Sequence, residues 1–391
     1  MKAIQPRLIH LTTADISLEL LLGPQLQLFV DAGYEVIGIS APGPFVSAIE
    51  ARGIRHIALE GATRSMSLSS DVRALGNLVQ IFRELAPDIV HTHNPKPGVY
   101  GRIAGRIARV PVVVNTVHGL YAQPTDSLKK RLVVYALERL ASTCSDAELV
   151  QNPEDVATLR KLLVSQSKIT VLGNGVDLNR FTATPECDVR SQLRLELGLP
   201  DSAVVFGAIG RLVEEKGYLE LFEAWETVHS KHPTARLLVV GPDDPEKPDA
   251  LPRSVVEHAA AAGVQFLGMR DDVEDLYHAM DVYVLASHRE GFPRSAMEAA
   301  ASRLPLVLTN IRGCRQVVTH RVNGLLVNVR QPTQLANAMV ELIEHPELRE
   351  RFGTASAQRA IEEFDQESVA SITLATYSRL LAVAGSTVPT E

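Results

Sequence analysis

Two doubly wound α/β domains are what this sequence predicts, and three observations predict them. Short runs of Val, Ile and Leu alternate with helical periods along the whole chain, which implies parallel sheets covered on both faces. At 391 residues the chain exceeds the roughly 250–300 at which single cores stop growing. The alternation then restarts near Gly173, so the second half repeats the plan of the first.

The elements follow in order. Arg7–Leu11 reads as a strand, Leu18–Ala32 as a helix with Gly33 at its C-cap, and Glu35–Ile39 as the next strand. Helix Pro44–Ala51, strand His56–Leu59, helix Asp71–Leu85, strand Asp88–His91, helix Gly98–Ala108 and strand Val112–Asn115 continue the alternation. Helix Ser127–Ser142, strand Ala147–Val150 and helix Pro153–Leu163 complete the first half. Strand Ile169–Val171 leads into the loop Gly173–Phe181. Strand Val204–Ile209, helix Gly217–His229 and strand Ala235–Val240 open the second half, followed by a Pro/Asp-rich loop. Strand Val264–Leu267, helix Val273–Ala279, strand Val282–Leu285, helix Ser295–Ser302 and strands Leu306–Thr309 and Gly324–Val327 follow. Three helices, Pro332–His345, Glu347–Glu363 and Gln366–Ala384, end the chain. The predicted division is 1–172, 173–365 and a last helical segment 366–391.

Composition narrows the function. The formal charge of -7 argues against general nucleic-acid binding. Cys144, Cys187 and Cys314 lie far apart with no CxxC pair, which fits a reducing compartment and neither a zinc site nor a disulfide framework. No signal-peptide pattern opens the sequence, and no apolar run reaches the roughly 18–20 residues of a spanning helix. The expectation is a cytoplasmic protein, one that can lie on a membrane without crossing it.

Ligands of doubly wound sheets sit at the C-terminal ends of strands, so the loops there carry the chemistry. Glu290-Gly291-Phe292-Pro293-Arg294-Ser295-Ala296-Met297-Glu298 places one carboxylate in such a loop and a second inside the next helix. Pro293 suits a first helical turn, and the N–H groups that follow suit a phosphate or sugar oxygen. Eight residues of helix span about 12 Å, beyond the roughly 5–9.5 Å that separates a glycosidase's carboxylates. The pair therefore suits two ends of one elongated ligand, or else it is a loop carboxylate and a surface helix carboxylate. After strand Val204–Ile209 come Arg211 and Lys216, flanked by Gly210 and Gly217. A guanidinium fork and an ammonium together suit a diphosphate, although a solvated loop with Glu214–Lys216 pairing has the same composition. The GxGxxG of a dinucleotide fold is absent here.

Arg211-x4-Lys216-Gly217 followed by Glu290-x7-Glu298 in a twin α/β chain resembles the retaining glycosyltransferases of family 4, which have the GT-B fold. The stretch Gly173-Asn174-Gly175-Val176-Asp177-Leu178-Asn179-Arg180-Phe181 resembles that family's interdomain signature. The resemblance spans nearly the whole chain. It implies an N-terminal Rossmann-like acceptor domain, a C-terminal Rossmann-like donor domain, and a last helix returning to the first. By resemblance Arg211 and Lys216 hold the donor diphosphate, with Ser295 at the helix start beside it. Glu298 takes the ribose, and Glu290 with Gly291, Phe292 and Pro293 holds the sugar. Arg270 lies in a loop resembling the one that packs on the base. His118, in Thr116-Val117-His118-Gly119, matches a histidine that the family points at the donor, although a lone histidine after a strand is commonly a structural hydrogen-bonder.

His91-x-His93 looks like a metal pair, yet no third ligand stands in a recognisable motif, and the family's fold needs no metal. The expected cofactor is none, with a UDP-sugar as co-substrate. The segment around His93, Asn94 and Lys96, with His118-Gly119-Leu120-Tyr121, resembles a subgroup that builds capsular polysaccharide, exopolysaccharide or O-antigen. On that resemblance Lys96 meets a phosphate and His93 or Asn94 a hydroxyl of the acceptor, a glycan or polyprenyl-diphosphate-linked saccharide, while simple loop structure accounts for the segment equally well; Thr12 and Thr13 are assigned to the acceptor side as well. The first strand–helix loop lacks the family's paired glycines, so its threonine hydroxyls stand in for main-chain approach. Lys129-Lys130-Arg131 beside an apolar helical face fits contact with anionic lipid or ordinary helix packing. Two other classes share the motifs. A UDP-sugar epimerase would act with no acceptor, and a non-catalytic sensor would bind the donor without transfer or hydrolysis.

Overall fold

In the computed structural model, residues 5–59, 68–93, 96–120, 127–182, 189–245 and 247–385 are described. The chain forms two compact units, Met1–Gly173 with Gln366–Glu391, and Asn174–Asp365. Each is a doubly wound parallel sheet with helices on its faces. In the first unit the strands are β1 (Arg7–Ala14), β2 (Glu35–Ala41), β3 (Arg55–Ala58), β4 (Ile89–His93), β5 (Val112–Val117), β6 (Ala147–Val150) and β7 (Ile169–Val171). They lie in the order β3-β2-β1-β4-β5-β6-β7. The second unit has β8 (Val205–Ile209), β9 (Arg236–Val240), β10 (Val264–Gly268), β11 (Val282–Leu285), β12 (Leu306–Thr309) and β13 (Gly324–Val327). Their order is β10-β9-β8-β11-β12-β13. The order reverses between β1 and β4 and again between β8 and β11. At such a point the loops of two neighbouring strands run off in opposite directions and leave a crevice between them.

The cores are those of buried strands. Leu8, Phe29, Val36, Ile89 and Val114 pack with Ala370, Tyr377 and Leu381, so helix Gln366–Ala384 closes one face of the first sheet. In the second unit Trp225, Phe206 and Phe352 fill one face, and Tyr277, Tyr283 and Phe364 fill the other. A buried charge cluster supports β5 and β6. Arg102 bonds Glu148 at 2.7 Å and Glu138 at 2.9 Å, and Asn115 donates to Glu148 at 2.8 Å.

Several elements differ from the sequence expectation. The expected helix Leu18–Ala32 is broken into a π-helical turn, Ser17–Leu21, and a helix, Gly23–Asp31, whose first turn holds Pro24. Pro24 brings no N–H for the preceding turn, so the two segments cannot share one ladder. β1 runs past Leu11 to Ala14 with a register shift, so Thr12 and Thr13 lie on the strand and not in the following loop. Helices Val189–Glu196 and Arg253–Ala261 have no counterpart in the sequence reading. The first is held by tertiary contacts: Arg194 reaches the Ala279 carbonyl at 3.1 Å and Asp281 at 2.6 Å, and Arg190 reaches Asp281 at 2.7 Å.

Candidate active site

The loops after β8 and β11 flank the second reversal point, which is why residues 74 apart meet. Lys216 Nζ lies 2.6 Å from Glu290 Oε1, and the Ser287 hydroxyl donates to the same oxygen at 2.7 Å. The main chains are locked together as well, because the His288 N–H donates to the Glu215 carbonyl at 2.9 Å. Gly217 makes that approach possible. Its φ is +73°, and a Cβ there would lie 2.0 Å from the Ala286 carbonyl oxygen. Gly313 performs the same service on the far side, where a Cβ would meet the Glu290 and Gly291 carbonyls at 2.7 and 2.8 Å. Gly217→Ala should therefore cost about 2–4 kcal/mol of stability and pull Lys216 off Glu290. A thermal melt with an activity assay checks this, and unchanged values in both would refute the tight-loop account.

Helix Arg294–Ala301 begins directly after Pro293, which sits at the N-cap and not inside the first turn. Two buried tyrosines organise its start. Tyr283 donates to the Ser295 hydroxyl at 2.6 Å, and the Tyr277 hydroxyl lies 3.1 Å from Glu298 and 2.9 Å from the Ser295 carbonyl. Burial first, and the nearby Glu298 carboxylate second, push the Tyr277 phenol well up, so it stays a donor. Arg294 also holds Glu298, at 3.0 Å. Phe292 packs edge-on against Phe364 and accepts from Asn174 through its carbonyl, at 3.4 Å.

Arg211 and Lys216 are not paired on one another's ligand here. Arg211 bonds Asp244 at 2.5 Å, while Lys216 bonds Glu290. Arg270 grips Asp272 through two bonds of 2.7 and 2.5 Å, and this holds the Asp272 carboxyl below its ordinary range. A shallow hollow near the β8 loop is lined by Glu214, Glu215, Glu220 and Asp249 together with Lys247, His288 and Arg330. Four carboxylates stand there against two cations and a histidine, a balance that disfavours a diphosphate, so the Lys216–Glu290 locus at the strand-order reversal is the better anion site.

At the first reversal point the structure supplies a group that the sequence reading missed. His10 of β1 is the register partner of His91 on β4, and His93 lies two residues on, on the same face. Potential ligand atoms of these three buried rings lie within 4.8 Å of one another. The third histidine stands 81 residues before His91, where only strand pairing could find it. His10 Nδ1 lies 3.0 Å from His93 Nε2, and His93 Nδ1 lies 2.9 Å from His118 Nε2. His118 follows β5, and its Nδ1 lies 3.1 Å from Gln151 Oε1. Burial lowers the His118 imidazole to about 4, against the opposing pull of Gln151, and holds the other three rings well below their ordinary value.

On the expected acceptor side, the Thr12 hydroxyl is buried and donates to the Ala14 carbonyl at 3.0 Å, while Thr13 is half-buried. Lys96 pairs with Asp71 at 2.5 Å. Asn94, Tyr121 and Cys187 lie outside the described residues.

Comparisons with known proteins bear on this geometry. A family model for glycosyl transferases group 1 matches residues 189–359, and one for a glycosyl transferase 4-like domain matches residues 25–175. An Escherichia coli UDP-Gal:alpha-D-GlcNAc-diphosphoundecaprenol alpha-1,3-galactosyltransferase is 31% identical over 77% of this chain and 78% of that protein. The Staphylococcus aureus capsular polysaccharide biosynthesis glycosyltransferase CapM is 27% identical over 93% of this chain and 94% of its own. Among solved structures, Anabaena Alr3699/HepE in complex with UDP and glucose superimposes with a TM-score of 0.80 at 22% identity, over 96% of this chain and all of that one. WaaG, a glycosyltransferase of lipopolysaccharide biosynthesis, does so with a TM-score of 0.75 at 16% identity, over 94% of this chain and 98% of that one. With two doubly wound units whose sequences match the two family models, the chain belongs to the group 1, family 4-like glycosyl transferases and is a glycosyltransferase.

Proposed function

We propose that this enzyme moves a sugar from a UDP-sugar to a hydroxyl of a lipid-linked saccharide in cell-surface polysaccharide synthesis, with retention of anomeric configuration. The observation that carries the donor half is the Lys216–Glu290 pair at the strand-order reversal. An ammonium already held on a carboxylate is a cation with a built-in competitor. A diphosphate carries more charge than Glu290 and displaces it, which frees Glu290 to accept hydrogen bonds from sugar hydroxyls. Arg211 exchanges Asp244 for the same diphosphate. Glu298, steadied by Tyr277 and Arg294, takes the ribose, while Gly291, Phe292, Pro293 and Ser295 present main chain and hydroxyl to the sugar and phosphate. Arg270 borders the base. As the sugar becomes oxocarbenium-like, charge grows on the leaving diphosphate, and two cations with a helix start neutralise it. No metal ion is needed on this reading, so chelator leaves the rate unchanged.

The acceptor half draws on the relatives. The Escherichia coli relative is named for a diphosphoundecaprenol-linked acceptor, and so is a Campylobacter jejuni relative that is 24% identical over 92% of this chain and 94% of its own. Helix Leu128–Ser142 supports work at a lipid surface on the cytoplasmic face. Leu128, Leu132, Val133 and Leu140 are exposed on it, beside Lys129. No helix among the described residues is long and apolar enough to cross a membrane. Replacing Leu128 and Leu132 with Ser should weaken binding to vesicles rich in anionic lipid about tenfold or more, since each buried leucine contributes about 1.5–3 kcal/mol. Equal sedimentation of both proteins with such vesicles would remove this helix from the reading. The whole proposal is tested by a thermal-shift screen of nucleotide sugars followed by transfer to a polyprenyl-diphosphate-linked saccharide. Conversion of the donor with no acceptor present would point to an epimerase instead.

A further inference from the structure

Ser295, the second residue of helix Arg294–Ala301, is gripped at both ends from the core. The Tyr277 hydroxyl lies 2.9 Å from its carbonyl oxygen, and the Tyr283 hydroxyl lies 2.6 Å from its Oγ. Both tyrosines are fully buried, while Ser295 is half-buried. The direction of the shorter bond follows from the protons available. A phenol has one proton, and a buried phenol that donates it nowhere is costly. Two oxygens are in reach of the Tyr283 hydroxyl, Ser295 Oγ at 2.6 Å and the Ile209 carbonyl at 3.4 Å. Were Ser295 the donor, the phenol proton would be left with the 3.4 Å contact, beyond the roughly 2.5–3.0 Å of an O–H···O bond. With Tyr283 as donor, its proton occupies the 2.6 Å bond. A phenol titrates near about 10, far below an aliphatic alcohol, and is the stronger donor of the two. Tyr283 therefore gives and Ser295 receives. The Ser295 proton is left over, and it points away from the phenol, off the core.

We propose that Tyr283 turns the Ser295 hydroxyl into a one-way donor to the diphosphate of the nucleotide sugar, and is thereby a positioning residue for the leaving group. The inference rests on the reading that Ser295 faces that diphosphate. Tyr283 lies within reach of both ends of the donor site, since the Glu290 and Glu298 charges each act on its phenol. Burial above all holds that phenol protonated, against the pull of its bond to Ser295, with Tyr218 and the two carboxylates adding to the effect. A hydroxyl that already accepts an O–H bond is a stronger donor, because chained hydrogen bonds polarise one another. Its orientation is also set before the ligand arrives, so no reorganisation is needed as charge grows on the leaving diphosphate. Every group in the arrangement belongs to the second unit.

Calorimetric titration of the full-length protein with UDP tests this through a double-mutant cycle. Ser295→Ala should weaken UDP binding about tenfold or more, the loss of one hydrogen bond to a charged group. Tyr283→Phe keeps the ring and removes only the donor, and should weaken UDP binding about three- to tenfold. The double variant should bind UDP no worse than Ser295→Ala, because Tyr283 acts through Ser295 alone. Uridine, which carries no phosphate, should bind the parent and Tyr283→Phe alike. Losses that multiply in the double variant overturn the proposal, as does an equal loss of uridine and UDP, which would make Tyr283 a fold contact. Unchanged UDP affinity in Ser295→Ala instead removes the phosphate-facing reading of Ser295, and the proposal falls with it. If Tyr283→Phe does not fold, the phenol proton of Tyr283 in parent and Ser295→Ala decides by NMR. A short bond to Ser295 places that resonance downfield, and Ser295→Ala should move it upfield as the phenol turns to the Ile209 carbonyl. The same resonance position in both proteins would mean that Tyr283 donates to Ile209 throughout, and would overturn the proposal.

Discussion

Lys216→Met lowers kcat/KM by about 10²–10³-fold and weakens UDP binding, while Glu290→Gln lowers transfer but tightens UDP binding. The opposite signs follow from the 2.6 Å pair. In the resting enzyme Glu290 occupies the ammonium that the diphosphate needs, so binding pays the cost of breaking that pair. A neutral amide at position 290 still accepts from Lys216 and Ser287 but competes less, and a several-fold gain in UDP affinity is expected. The same amide is a poorer acceptor for sugar hydroxyls, so the rate falls even as the nucleotide binds better. Lys216 has no such compensation. Loss of a preorganised charge facing the leaving group costs about 3–4 kcal/mol of transition-state stabilisation. Neither side chain is fully buried, at 23% and 12% exposure, so each variant should melt within a few degrees of the parent. Calorimetric UDP titration with steady-state kinetics decides the matter. Equal loss of UDP binding in both variants would make the pair a scaffold contact and sink its role in the donor site.

The sequence carried the architecture because buried parallel strands are near-continuous apolar runs. β6, β7, β11, β12 and β13 have the residues that the runs predict. It also carried the positions of Lys216 and Glu290, since chemistry in this class of fold sits after strands. It did not carry their contact, which needs the adjacency of β8 and β11, two strands 77 residues apart at their starts. His10 was illegible for the same reason: its partner is fixed by strand pairing and not by spacing. Helix Val189–Glu196 was missed because it is anchored by arginines on distant carbonyls, and its apolar positions are few. Pro24 illustrates the opposite case, a breaker visible in the sequence that divides the single helix the apolar periodicity around it predicts.

Acid should destabilise the first unit well before its carboxylates titrate. In the unfolded chain an imidazole titrates near about 6.5. In the folded protein His118 is lowered to about 4, and His10, His91 and His93 are lowered well below 6.5, chiefly by burial and secondarily by one another. Between those limits the unfolded state binds more protons than the folded one, so stability rises with pH and is lost as pH falls. The window opens near pH 7 and extends toward pH 4. His118 alone removes about 2 kcal/mol by pH 5, and three further rings act in the same direction. Carboxylates contribute mainly below about pH 4.5, so the histidine effect stands apart from ordinary acid denaturation. Urea unfolding at pH 7.5, 6.5, 5.5 and 5.0 measures it. His10→Asn should flatten the slope even while lowering the plateau, because one buried titrating ring is gone but its packing is also lost. A slope that is flat between pH 7.5 and 5 in the parent would mean that the rings already share a proton in the folded state.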